Sequence, residues 1–336
     1  MPDELNSLSD DSAVIKSFYS TVLSQIFSPC GNYLLAGNIY GEIFVFDLRN
    51  ILNPEHEVQE TKQKPYFKFI ADKNGQVCSM ASTEKFLIVG SNGKILGFEW
   101  KYIIHGKMPK IAWEINIPLV KDAVEIIEVN SVIVTENQKI YSGGGDNKIH
   151  IHSMEDGRLI KSFSGHQNYI HDLALLDKDS LASASEDGTV HIWDCRASKF
   201  VATIEPQNEP SLKRPHLGKW VGCVNVEKDW LLCGGGPRPG LWHLGTMQLT
   251  TVFDTIDRGV HTGKIHEERI MIGSSNKLVQ YNLQGDFICS VPTSCSTIYS
   301  LVLQSSPYHL MAIAGSSPNI ELCTNLHYKD QILSCM

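Results

Sequence analysis

Residues 164–194 read SGHQNYIHDLALLDKDSLASASEDGTVHIWD, and their pattern decides the fold. Two alternating apolar runs, 169–175 and 181–185, are joined by turn residues. The pair Asp187-Gly188 follows, then a third run, 189–193. Alternation with period two predicts strands whose side chains point to opposite faces in turn. Asp-Gly supplies a hairpin turn whose central positions accept positive φ. The stretch therefore reads as three short strands in a meander, opening on Gly165-His166 and closing on Trp193-Asp194.

A Gly-His to Trp-Asp bracket around such a meander resembles one blade of the WD-repeat family, whose members fold as β-propellers. The resemblance implies that His166, Ser183, Asp187 and Trp193 form a buried structural tetrad. An indole N–H only donates, whereas a serine hydroxyl gives and takes. His166 would link that hydroxyl to the Asp187 carboxylate. A buried His, Ser and Asp can also suggest a nucleophile, its base and an orienting acid. In a WD blade, however, the serine lies inside a strand rather than on an exposed elbow. A fully paired network there fixes one packing.

The same template, searched outward, yields six more repeats. In the central blade Trp193 falls five residues after Gly188. Phe46, Phe98, His152, Trp242, Tyr281 and Thr324 take the corresponding places elsewhere. The steps average about 46 residues, close to the roughly 40–45 of a WD blade. The expected blades span residues 21–70, 75–117, 125–163, 164–205, 220–253, 260–291 and 298–333. Blade five lacks the Asp-Gly turn and carries GGGPRPG at 234–240 instead. A four-stranded sheet cannot bury both of its faces alone, whereas a ring of them can. The expectation is an all-β, seven-bladed WD40 β-propeller, with residues 21–336 in one domain. Residues 1–20 are expected to form a partly disordered extension. Ser9-Asp10-Asp11 reads as a helix N-cap cluster, and Val14, Ile15, Phe18, Tyr19 and Val22 follow at helical spacing. A short helix on the rim, or a simple extension of the first strand, satisfies that pattern.

The chain has 336 residues, 42% of them hydrophobic and 20% charged, with a formal net charge of −8. No run of eighteen apolar residues exists, so no membrane span is expected. The N-terminus MPDELNSLSDDSAV has no signal-peptide pattern. The acidic balance argues against a free-standing nucleic-acid binder, which shows a basic stripe. The nine cysteines are scattered without a CxxC and read as reduced thiols.

Candidate chemistry is sparse. Gly143-Gly144-Gly145-Asp146 and Gly234-Gly235-Gly236 look like phosphate loops, but strands follow them, not the helix N-terminus such a loop needs. His150 and His152 share a strand face, yet no further His or Cys completes a structural zinc set. No carboxylate pair suggests a glycosidase. Neither a catalytic residue, a cofactor, a metal nor a small-molecule substrate is expected. Residues 206–219, PQNEPSLKRPHLGK, make a long connection between blades four and five. Long connections often bind. This one holds Lys213, Arg214 and His216, with Trp220 just beyond. It reads either as a partner-binding loop or as a solvated one. The connection 50–64 has mixed charge and reads as plain solvated chain.

Four stretches resemble one WD family in particular: SPCGNYLLAGNIYGEIFVFDL (28–48), SGHQNYIHDLALL (164–176), GKWVGCVNVEKDWLLCGGGPRPGLWHL (218–244) and CTNLHYK (323–329). They are similar to the THO complex subunit 6 family. The resemblance implies a nuclear, non-catalytic scaffold of the THO part of the transcription–export (TREX) assembly. That assembly couples transcription, mRNA processing and splicing to nuclear mRNA export. The implied partners are other THO/TREX subunits, especially the coiled-coil subunits 5 and 7, with RNA contacted mostly through them. The alternative is a WD-repeat substrate receptor of a cullin–RING ubiquitin ligase, suggested by the WDxR pattern at Trp193-Asp194-Cys195-Arg196.

Overall fold

A computed structural model describes residues 19–53, 62–118, 127–197, 199–254 and 258–336. Residues 1–18, which carry most of the expected N-terminal helix, lie outside the described residues, as does most of the connection 50–64, and at the end of the expected stripe Tyr19 is in a turn and Val22 in a strand. The first strand, β1, begins at Val22.

The chain forms seven four-stranded antiparallel sheets, each built from consecutive strands, and so a seven-bladed β-propeller. Blade one holds β1 (Val22–Phe27) to β4 (Phe67–Ile70), and blade two β5 (Ser79–Ser82) to β8 (Ile111–Asn116). Blade three runs from β9 (Ser131–Val134) to β12 (Leu159–Ser164), and blade four from β13 (Ile170–Leu175) to β16 (Lys199–Ile204). Blade five holds β17 (Val221–Glu227) to β20 (Gln248–Val252), and blade six β21 (Gly263–His266) to β24 (Phe287–Pro292). Blade seven holds β25 (Ile298–Gln304) to β28 (Gln331–Ser334). Two single-turn helices, α1 (Leu48–Ile51) and α2 (Trp100–Ile103), follow the third strands of blades one and two.

The second strand of a blade is buried at nearly every position because both of its faces are covered. In β2 (Tyr33–Asn38), Leu34 and Ala36 pack toward blade seven while Leu35 packs toward blade two. One apolar cluster fills each junction between neighbouring blades. The marker residues belong to these junctions. Phe46, Phe98, Trp193, Trp242 and Tyr281 each pack against the preceding blade. His152 is buried at the corresponding place in blade three.

Blade seven corrects the expected register by one residue. Cys323, not Thr324, stands opposite Met311, as Trp193 stands opposite Leu181 in blade four. Cys323 is buried against blade six and Thr324 is exposed. A one-residue slip moves a side chain to the other face of a strand, so burial decides between them.

Among the described residues, the first and last blades share no sheet. Leu34, Phe44 and Phe46 of blade one pack on Leu310, Ile320 and Leu333 of blade seven. A backbone strap reinforces that junction. Gln63 N–H donates to Ile332 O (2.8 Å), and Ser334 N–H donates to Gln63 O (2.8 Å). The end of the 50–64 connection is thus tied to β28 rather than merely solvated, a contact between distant segments that composition does not encode.

Leu333 is fully buried at this closing junction. Leu333→Ala should therefore cost about 2–5 kcal/mol, as other buried leucines do. Chemical denaturation measures it, and an unchanged midpoint would mean that the junction does not hold the ring.

Candidate functional site

The structure brings the four expected tetrad residues together in blade four. His166 lies in the approach to β13, Ser183 on β14 (Ser180–Ser185), Asp187 in the following turn and Trp193 on β15 (Val190–Asp194). Trp193 Nε1–H donates to Ser183 Oγ (2.8 Å), which also meets His166 Nε2 (2.7 Å). His166 Nδ1 lies 2.8 Å from Asp187 Oδ2. Burial alone would raise the Asp187 carboxyl, but bonds from His166, Thr189 and the Gln167 N–H outweigh it and hold the carboxyl low. Every member is committed to a neighbour inside the blade, and Ser183 is fully buried, so the hydroxyl has no open path to a substrate.

Blade three carries a related set: His150 Nε2 lies 2.6 Å from Asp146 Oδ2 and Nδ1 lies 2.8 Å from Ser162 Oγ. His150 and His152 share a face, with ring centroids 6.1 Å apart, but His150 spends both nitrogens on protein partners.

The connection 206–219 makes two 3₁₀ turns, Pro206–Asn208 and Pro215–Leu217. It lies on the face of the Asp-Gly turns, where Gly188 approaches Lys219 closely. Two residues anchor it. Leu212 is fully buried in the apolar cluster between blades four and five. Arg214 is the correction to the expected exposed basic cluster: it is only 6% exposed. Its Nε–H donates to Gly236 O (2.8 Å), and Nη2–H donates to Gly235 O (3.1 Å) and Pro237 O (3.1 Å). The guanidinium fork thereby gathers the carbonyls of the turn that replaces Asp-Gly in blade five. The glycines there serve close packing, not phosphate binding. A Cβ on Gly235 would sit 2.1 Å from Trp220 O, and one on Gly236 2.4 Å from Gly218 O. Lys213, His216 and Lys219 remain exposed on this cap.

Trp220 is half-buried, its Nε1–H donating to Leu217 O (2.9 Å). Its ring lies 4.8 Å from His261 and 6.4 Å from His171, and His261 lies 5.1 Å from Tyr299. Blades four to seven thus give the channel mouth an aromatic belt. Bulges place part of it. In the innermost strands of blades one, four, five and seven, the pairing skips Leu23, His171, Gly222 and Tyr299. A bulge leaves one residue outside the ladder and re-aims its side chain. These four residues and His261 line the mouth. Sequence reasoning missed the belt because each bulge is one residue in an otherwise regular alternation.

The channel space of about 280 Å³ at the belt is lined by His171, His261 and Tyr299 together with Gln25, Asp172 and Lys264. Asp172 accepts from the Leu173 N–H (2.9 Å), the Val224 N–H (3.1 Å) and Ser131 Oγ–H (3.3 Å). It pins blades three, four and five together. Burial pushes its carboxyl above the usual range, against the pull of Lys264 and these donors. The site is a partly aromatic channel mouth with the exposed side chains of Lys213, His216 and Lys219 on the neighbouring cap. Such a surface suits recognition by stacking and hydrogen bonding.

Arg196 of the WDxR pattern is exposed on another part of blade four and folds back on Asp194, with Nε–Oδ1 and Nη2–Oδ2 both 3.0 Å.

Fold and blade pattern define a WD-repeat β-propeller, and the WD domain, G-beta repeat family matches residues 157–194. Similarity to curated proteins extends much further. The chain is 37% identical over 325 residues to THO complex subunit 6 homolog of Danio rerio, spanning 95% of this chain and 99% of the relative. It is 35% identical over 321 residues to THO complex subunit 6 of Drosophila melanogaster, covering 94% of this chain and 89% of that one. With the Homo sapiens protein of that name, identity is 33% over 326 residues, covering 95% and 94%. The chain belongs to the THO complex subunit 6 family.

Two predictions test the cap and the belt. Arg214→Ala strands buried carbonyls and should cost at least about 1–3 kcal/mol. Lys213→Ala should stay within about 0.5 kcal/mol. Equal denaturation midpoints for the two variants would refute the clamp. Burial and the neighbouring His171 hold His261 down at about 4, from 6.5 when unfolded. The unfolded chain then binds the extra proton, so this contribution is present above pH 6.5 and is lost as pH falls toward about 4. His152 and His191, held down to about 4 mainly by burial, act in the same direction. Asp172, raised by burial, acts in the opposite direction. Melting curves of His261→Gln should therefore fall less steeply than the parent's across this window, and parallel curves would argue against the assignment.

Proposed function

We propose that this chain is a non-catalytic scaffold subunit of the THO part of the transcription–export assembly. On this reading it works in the nucleus and supports coupled transcription, mRNA processing and export through protein contacts. The carrying observation is similarity along about 95% of the chain to proteins named THO complex subunit 6. The partners are other THO subunits, with the coiled-coil subunits 5 and 7 the first to test. RNA is contacted mainly through them, in keeping with a net charge of −8, because phosphate binding rests on clustered Lys and Arg.

The cap supplies the proposed partner surface. Lys213 and His216 project into solvent, and Trp220 lies where the cap meets the belt. Aromatic side chains and exposed cations suit an interface, where charge speeds association and rings supply contact area. Arg214 has no direct share in this surface, because it is buried beneath it.

Changing Lys213 and His216 together to Ser should leave the melting temperature nearly unchanged and reduce recovery of THO subunits in a pull-down, more strongly at low salt. Full recovery at both low and high salt would remove the cap from the interface. If the parent protein instead recovers a cullin adaptor and no THO subunit, the ubiquitin-ligase reading replaces this one.

A further inference from the structure

On the face opposite the cap, neighbouring hairpins of blades six and seven bring together three side chains that no part of the proposed scaffold role uses. His266 ends β21, Glu267 follows it in the turn, and His309 comes from the hairpin between β25 and β26 (Leu310–Gly315). One imidazole nitrogen from each histidine and one carboxylate oxygen all lie within 4.8 Å of one another.

His266 Nε2 is shielded from solvent and has no hydrogen-bond partner. Glu267 Oε1 lies 3.8 Å away, beyond hydrogen-bonding distance. A buried imidazole nitrogen left unpaired is costly, and a bound cation would satisfy it. The turn supplies an independent observation. Glu267 and Glu268 both have positive φ, 50° and 64°. Two-residue hairpins of this kind favour Asn-Gly or Asp-Gly, and consecutive glutamates are a poor choice for the turn alone. The left-handed backbone sets the Glu267 carboxylate beside His266. Glu267 keeps 62% of its side chain exposed, so an ion has a way in. Arg269, opposite His266 in the hairpin, is engaged with Gln280 and with His327 Nε2 at 3.1 Å.

Among the described residues, the other cluster within ligand reach is His166, Asp187 and His191, and its members bond mainly to protein partners. There His166 uses both nitrogens and His191 Nδ1 lies 3.0 Å from Thr203 Oγ1.

We propose that His266, Glu267 and His309 bind a divalent transition-metal ion of the zinc class, clipping blade six to blade seven. Two imidazoles and one carboxylate are a donor set that Zn²⁺ accepts, with a fourth position left for water or an incoming side chain. Small side-chain rotations would bring the donors to the roughly 2.0–2.2 Å that zinc requires.

The test uses the full chain, stripped of metal by a chelator, and Co²⁺ as a spectroscopic probe. One equivalent should produce visible d–d bands without a thiolate charge-transfer band, and Zn²⁺ should bleach them. Zinc should also raise the melting temperature to the extent that it binds the folded form more tightly than the unfolded chain. His309→Ala removes an exposed ligand with little risk to folding. It should weaken binding roughly a hundredfold or more, since loss of a supporting group alone costs about 10–100-fold. Glu267→Gln should weaken binding as well. A thiolate band would assign the metal to cysteines and overturn the proposal. So would unaltered Co²⁺ binding by His309→Ala, or no binding by the parent.

Discussion

Each blade of this protein is apolar on both faces, and everything else in the structure follows from that constraint. Leu34 and Leu35 are neighbours in sequence, yet they serve different junctions of the ring. Neither face of a blade can be left to water, so a blade is stable only between two others, and the last must meet the first. Here they meet without exchanging a strand. Packing of Phe46 and Leu34 on Leu322 and Leu333 closes the ring, and the Gln63 strap adds two backbone bonds beside it. Polar networks are superimposed on this packing. Blade four uses His166, Ser183, Asp187 and Trp193, whereas blades one and two fill the Trp193 place with Phe46 and Phe98 and hold their position by burial.

Blade four was legible in the sequence because its polar marks occur together: Gly-His, Asp-Gly and Trp-Asp. The weaker blades could still be placed, since a hydrophobic alternation bounded by turns recurs at a nearly constant step. Exact register was harder. In blade seven neither Cys323 nor Thr324 is distinctive, and only contact with Met311 decides which faces the core. The bulges at Leu23, His171, Gly222 and Tyr299 were invisible for a similar reason. A bulge changes pairing between strands, and alternation along one strand scarcely records it.

Arg214 shows how a residue can be read correctly in kind and wrongly in place. The sequence displayed a basic cluster at 213–216 and, separately, a blade-five turn without Asp-Gly. The structure makes them two halves of one device. A turn rich in glycine leaves carbonyls that no carboxylate could satisfy, and an arginine fork from the preceding connection donates to them. The departure from the repeat pattern was the available signal. Its partner lay some twenty residues earlier, within a stretch whose composition resembles ordinary solvated loop.

That device bears on how the proposed surface would bind. A free loop of this length pays conformational entropy when a partner orders it. This connection is already held at Leu212 and Arg214, so Lys213 and His216 are presented from a fixed backbone. Trp220 is fixed too, by its bond to Leu217 O and by the His261 ring beneath it. On that proposal affinity would depend on two separate classes of residue. Lys213 and His216 would act through the charge and contacts they offer. Arg214 and Leu212 would act at one remove, by sparing the ordering cost, so removing either would weaken binding although both are buried.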